Sequence, residues 1–139
     1  MSSADVADNE SPIRFSSREE IFSLFEDERF RNFIERHVSS FVVTLLPPDL
    51  ADNPDSRYYL VNVEKRGPFR WAVSDRFQQY DINCVAVHEA LPSSRDEDFI
   101  KNYRHDLLTA VDLAFRVAEI INVNGWTVDR FVERERQRA

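Results

Sequence analysis

Three histidines, His37, His88 and His105, are the side chains best suited to move a proton or hold a metal ion near neutral pH. They fall in separate stretches of chain, and no HExxH or comparable ligand spacing surrounds them. Structural or surface roles are expected for all three. Ser74, Asp75 and His88 supply the residue types of a nucleophile, an acid and a base, but no glycine-built elbow or oxyanion turn accompanies them. Asp75 and Asp81 flank RFQQY and can be drawn as paired acids. The first reads as a loop residue and the second as the polar face of a strand, where solvation accounts for both. The acidic runs EDE and RDED read as solvated faces or helix starts, and no EF-hand loop occurs. No catalytic residue, cofactor site or metal site is assigned, and the chain is expected not to be an enzyme.

Cys84 is the one cysteine, so neither an internal disulfide nor a cysteine-based zinc cage can form. Its position within an apolar alternation reads as that of a small core residue. The net charge of −7 and a pI near 5.0 argue against a surface built to neutralise nucleic-acid phosphates. With two glycines in 139 residues, the chain has neither GxGxxG nor GxxxxGK[ST] to cradle a phosphate.

What remains is surface. RYYLVNVEKRGPFRWAVSDRFQQYDINCVAVHE, residues 57–89, reads as two alternating strands joined by a loop that carries Arg66, Phe69, Arg70 and Trp71. Arginine and aromatic side chains are enriched at the centres of protein interfaces, where they give much contact area for little lost freedom. Two readings stand side by side: Phe69 and Trp71 fold back over the core, or the loop docks on a partner. The protein-interface candidates are therefore Arg66, Phe69, Arg70 and Trp71.

The elements that position this loop follow from pattern. Residues 1–15 are expected to be a flexible N-terminal arm, neither a secretory signal nor a transit peptide; 16–132 a single domain; and 133–139 a solvated C-terminal tail. Ser17 and Glu20 have capping-box spacing ahead of Ile21, Leu24 and Phe25. The phase shifts across EDER before Phe30, Phe33, Ile34 and Val38, which leaves one bent helix or two short ones. FVVTLL, residues 41–46, is a strand stopped by Pro47 and Pro48. The next strand carries Tyr59, Val61 and Val63, and a third carries Tyr80, Ile82, Cys84 and Ala86. Ser94 and Glu97 cap a long amphipathic helix through Ile100, Tyr103, Leu107, Val111, Ala114, Ala118 and Ile121, ended by Asn124 and Gly125. WTVDRFVE is a last strand. The order predicts an α+β fold, an antiparallel sheet of about four strands with the long helix packed across one face and an N-terminal helix. No apolar run approaches the roughly 20 residues that span a bilayer, so a soluble, cytoplasmically assembled protein is expected.

VVTLLPPDL, a polar loop, YYLVNVEKRGP, then SDRFQQYDINCVAVHE and a helix with LLTAVDLAFRVAEII together resemble the tail terminator, or head-tail joining, proteins of long-tailed bacteriophages. The features fall on Val43 to Pro48, Tyr59 to Gly67, Asp75 to Val87 and Leu107 to Ile121, within roughly residues 18–125. At the turn this chain has Gly67 and Pro68 where the family often has two glycines. The resemblance implies a non-enzymatic structural protein of the virion, at the head-proximal end of the tail. It would form a homo-hexameric ring that stops the tail tube protein and meets the head connector or stopper protein, while genome DNA passes without specific binding. A neighbouring head-tail connector or completion protein is the nearest alternative. From a different class, a small acidic dimeric chaperone for a secreted or assembling partner has the same size and element types.

Overall fold

A computed structural model describes residues 13–50, 52–75, 78–88 and 103–138. It begins with a short strand, β1 (Ile13–Phe15), in what the sequence suggested was the end of the arm. Ser17 then accepts a hydrogen bond from the Glu20 amide at 3.2 Å and starts helix α1 (Arg18–Leu24). Asp27 accepts from the Arg29 amide at 2.8 Å and starts α2 (Glu28–His37). The phase shift at EDER is thus a true break, because a second side-chain cap serves the free amides of a second helix.

Strand β2 (Ser40–Thr44) follows, and short 3-10 turns at Pro48–Leu50 and Pro54–Tyr59 lead into β3 (Leu60–Gly67). Next come β4 (Arg70–Ser74), β5 (Gln78–Tyr80) and β6 (Ala86–His88). Helix α3 (Leu107–Ile120) starts at Asp106, whose carboxylate accepts from the Thr109 amide at 2.8 Å. A two-stranded hairpin, β7 (Asn122–Val123) and β8 (Trp126–Thr127), leads to α4 (Val128–Arg138).

Among the described residues the main sheet has six strands in the order β1-β2-β3-β4-β5-β6; β1 pairs with β2 in parallel and the other pairs are antiparallel. The fold is therefore α+β with a mostly antiparallel sheet. Register explains the core. Phe41 lies opposite Val63, Val63 opposite Val73, Val43 opposite Val61 and Lys65 opposite Trp71. Because side chains two apart share a face, Phe41, Val43, Val61, Val63, Trp71 and Val73 form one apolar surface, all fully buried. Helix α3 packs against β2, β3 and β4 and adds Val111, Leu113, Ala114, Phe115 and Val117 to the same core. A smaller cluster joins Leu46, Tyr59, Val128 and Phe131, with the Tyr59 and Phe131 rings 4.9 Å apart.

Several expectations need correction. The sheet has six strands where about four were expected, partly because RWAVS is a strand and not loop. The expected third strand divides at a turn built by Asp81, whose carboxylate accepts from the Asn83 and Val85 amides, each at 2.9 Å. Cys84 sits in that turn at φ +63° and is only half-buried, so it is not a strand residue of the core. Asn124 and Gly125 do not end the long helix. Both have positive φ and they join Val123 to its partner Trp126, the requirement of a type I′ hairpin turn. The expected last strand keeps only Trp126 and Thr127; Val128, Phe131 and Val132 then follow helical spacing through the proposed tail to Arg138. The Ser94 and Glu97 helix start lies outside the described residues, but the long helix does not run on from Tyr103 to Leu107 as expected: it starts at Asp106, because the His105 backbone pairs with Trp71 just before it. Among the described residues no helix is long and apolar enough to cross a membrane.

Candidate functional site

The loop that drew attention is a tight hairpin between β3 and β4. Gly67 pairs with Arg70, leaving Pro68 and Phe69 as the two central turn residues. Proline at the first of these and positive φ at the second is the type II pattern, which ordinarily takes glycine second. Here the second residue is Phe69, at φ +58°, with its side chain 72% exposed. Gly67, at φ +143°, holds a backbone conformation that side-chain-bearing residues rarely adopt. A register shift between Lys65 and Gly67 takes Arg66 out of the ladder. Its guanidinium lies 3.8 Å from Glu64, and both it and Arg70 are exposed. Arg66, Phe69 and Arg70 therefore share one projecting tip.

Trp71 does not belong to it. It lies on β4 with its side chain fully buried, so its assignment as a surface interface residue is corrected. The indole Nε1 donates to Glu35 Oε1 at 3.0 Å, and the ring lies 5.8 Å from that of Phe41. The Trp71 and His105 backbones exchange hydrogen bonds of 2.7 and 2.8 Å. Lys65 also donates through Nζ to the Glu35 carbonyl. Trp71 thus ties β4 to α2 and to the segment entering α3, and it braces the hairpin from below.

Two of the histidines make structural contacts. The His37 ring is 5.3 Å from Phe33, and His105 is buried with Nε2 donating to the Tyr80 carbonyl at 3.0 Å. His88 ends β6. Among the described residues no three His, Cys, Asp or Glu side chains converge as a metal site would require. Asp75 is engaged in structure: its carboxylate accepts from the Gln78 amide at 2.9 Å and from the Tyr80 hydroxyl at 2.7 Å. Burial, then the bond to Asp75 and its negative charge, push the Tyr80 phenol well above the usual tyrosine range.

A feature that sequence reasoning missed lies beside this turn. A cleft of about 490 Å³ is lined by Tyr58, Asp75, Gln78, Tyr80, Ile120 and Asn124, together with their neighbours on the β7 strand. Its residues come from three distant stretches of chain, so no local spacing announces it. Only the 58% exposure of Ile120, at the end of an otherwise well-buried helix, marks its apolar side.

No protein-family model matches the sequence, and neither a curated protein nor a solved structure gives a significant match.

Proposed function

We propose that this chain is a non-enzymatic structural protein of a long-tailed phage particle, one subunit of a hexameric ring that ends the tail tube and joins it to the head connector. The observation that carries the reading is the β3–β4 tip. It sets an exposed phenylalanine at a strained turn between two exposed arginines. Strained conformations persist only where surrounding structure enforces them, and they cluster at functional positions. An aromatic ring with arginines around it supplies the residue types that anchor interfaces. The α+β fold supports the reading in outline, with β2 running out before Pro47, β3 ending at Gly67 and the long helix α3, since the resemblance rests on those element types.

A ring of identical subunits needs heterologous contacts, one surface of each copy meeting a different surface of the next. A projecting tip is suited to one half of such a contact. The charge of −7 per chain suits a channel through which DNA slides, because acidic walls repel phosphates. Electron microscopy of a lysate in which the gene has been disrupted tests the function. Full heads beside separate, abnormally long tails are expected. Normally joined particles would overturn the proposal.

A further inference from the structure

Asparagine followed by glycine is a pair in which a chain can modify itself. The backbone nitrogen after an asparagine can attack the side-chain amide carbon, and glycine, without a Cβ, obstructs that attack least. The pair occurs once in this chain, at Asn124 and Gly125.

The fold presents it openly. Asn124 and Gly125 are the central residues of the β7–β8 turn, and both are exposed. Where a side chain at Gly125 would begin, nothing lies within 4 Å, so water and hydroxide can reach the peptide between the two residues. One contact stands in the way. The Gly125 amide donates to Asn122 Oδ1 at 2.7 Å, which occupies the proton that must leave before the nitrogen can attack. On the other side of the turn, Arg130 donates to the Gly125 carbonyl at 2.9 Å and lies over the Trp126 ring at 4.9 Å.

We propose that Asn124 is a deamidation site whose rate is set by the hydrogen bond between Asn122 and Gly125. When that bond opens, hydroxide removes the Gly125 amide proton and the nitrogen attacks Asn124 Cγ. The N–Cγ bond forms, the Cγ–Nδ2 bond breaks, and Nδ2 leaves as ammonia with a proton taken back from water. Water then opens the succinimide ring. Attack at Cγ breaks the new bond and gives aspartate in an ordinary backbone. Attack at the main-chain carbonyl breaks the original peptide bond and gives isoaspartate, with the chain now running through the former side chain. In either case one water is consumed and one ammonia released, with no change of oxidation state.

The two products differ in what they do to the fold. Aspartate tolerates the φ of +54° found here. Isoaspartate adds a main-chain carbon between Val123 and Trp126, which a two-residue turn cannot absorb without losing their pairing. That loss frees the Trp126 carbonyl, which accepts from the Tyr59 hydroxyl at 2.9 Å. Tyr59 in turn belongs to the small cluster that seats α4 through Val128 and Phe131. Ageing of one turn residue thus loosens the C-terminal helix. Asn124 also lines the cleft and a smaller hollow beside Tyr59 and Trp126, so aspartate there sets a new carboxylate in both walls.

Incubating the folded chain in mildly alkaline buffer and mapping it by tryptic mass spectrometry tests the site. The fragment of residues 117–130 should gain the mass of an acid over an amide at Asn124, with electron-transfer fragmentation revealing isoaspartate. The same fragment in isolation has no fold to hold its turn and should convert faster. Asn122→Ala should speed the folded chain by about 2- to 10-fold, the equilibrium worth of one hydrogen bond. Asn122→Asp keeps the accepting oxygen and should return the rate towards wild type; circular dichroism checks that both variants fold. No conversion in the folded chain after the isolated fragment has fully converted would overturn the site. Equal rates for wild type and Asn122→Ala would overturn the gate, as would a wild-type Gly125 amide unprotected against hydrogen exchange, a measure that needs no variant. The isoaspartyl chain, separated by ion exchange, should exchange its α4 amides faster than the unmodified chain, and equal exchange would overturn the loosening.

Discussion

Replacing Phe69 by glycine should stabilise the monomer and, on the proposed ring reading, abolish assembly. At φ +58° a residue with a Cβ sits about 1–2 kcal/mol above its right-handed alternatives, a penalty glycine does not have. Because the ring is 72% exposed, deleting it forfeits little burial. Against the gain stands the larger freedom of glycine in the unfolded chain, about 0.5–1 kcal/mol. The balance is a stabilisation of about 0.5–1 kcal/mol, or an increase of about 2–5 °C in Tm for a domain of this size. Urea unfolding should show a higher midpoint with an unchanged m-value. Phe69→Ala separates backbone from ring, since it keeps the strained φ and loses the aromatic side chain. It should show no stabilisation and the same loss of assembly. A glycine variant destabilised by 1 kcal/mol or more would mean that the ring is held by contacts within the monomer, and the reasoning would fail. Full assembly by both variants would refute the tip as an interface.

Other substitutions examine the frame beneath the tip. Trp71→Ala should cost about 3–5 kcal/mol, as expected for a large aromatic lost from a closed core, and denaturant unfolding should show it. A cost below about 1 kcal/mol would deny the bracing role. Tyr80→Phe should flatten the loss of stability in alkali. The folded-state pKa of this phenol is raised, so its contribution is complete below the unfolded value of about 10 and declines as pH rises above it. Urea titrations above pH 10 that fall equally steeply for both proteins would refute this. Asp106→Ala removes the cap of α3 and should cost about 1 kcal/mol, with Asp106→Asn restoring most of it. Equal stability of all three proteins would show that the cap is immaterial.

Where one face of a strand was buried without competition, its pattern was readable. YYLVNVEK alternates in the manner that register later aligned; FVVTLL, buried on both faces, was marked by its β-branched residues and the prolines that stop it, and Ser17 announced a helix start at which it accepts from the Glu20 amide. RWAVS carried the same period of two, with Trp71 and Val73 against Arg70, Ala72 and Ser74. It was read as loop because an aromatic residue beside arginine fits an interface as well as a core. Local sequence cannot separate those two, since what turns the indole inward is Glu35 on α2 and the backbone of His105, 36 and 34 residues away. The Asn124 and Gly125 pair shows a similar degeneracy. Positive φ serves a helix stop and a hairpin turn alike, and the pairing of Val123 with Trp126 decides between them.

The tip and the cleft differ in how they are encoded, which bears on what a sequence can disclose. Arg66, Phe69 and Arg70 are neighbours in the chain and need only a two-residue turn to be presented together. The cleft joins Tyr58, Asp75, Tyr80 and Ile120, and it exists only after β4 and β5 have paired and α3 has docked. A projecting surface can therefore be read from a few consecutive residues, whereas a cleft is a product of the whole fold. Destabilising α3 through Asp106→Ala should then loosen the cleft more than the tip. Amide hydrogen exchange in the variant should quicken at Ile121 to Asn124 more than at Arg66 to Arg70, and an equal change at the two ends would refute the asymmetry.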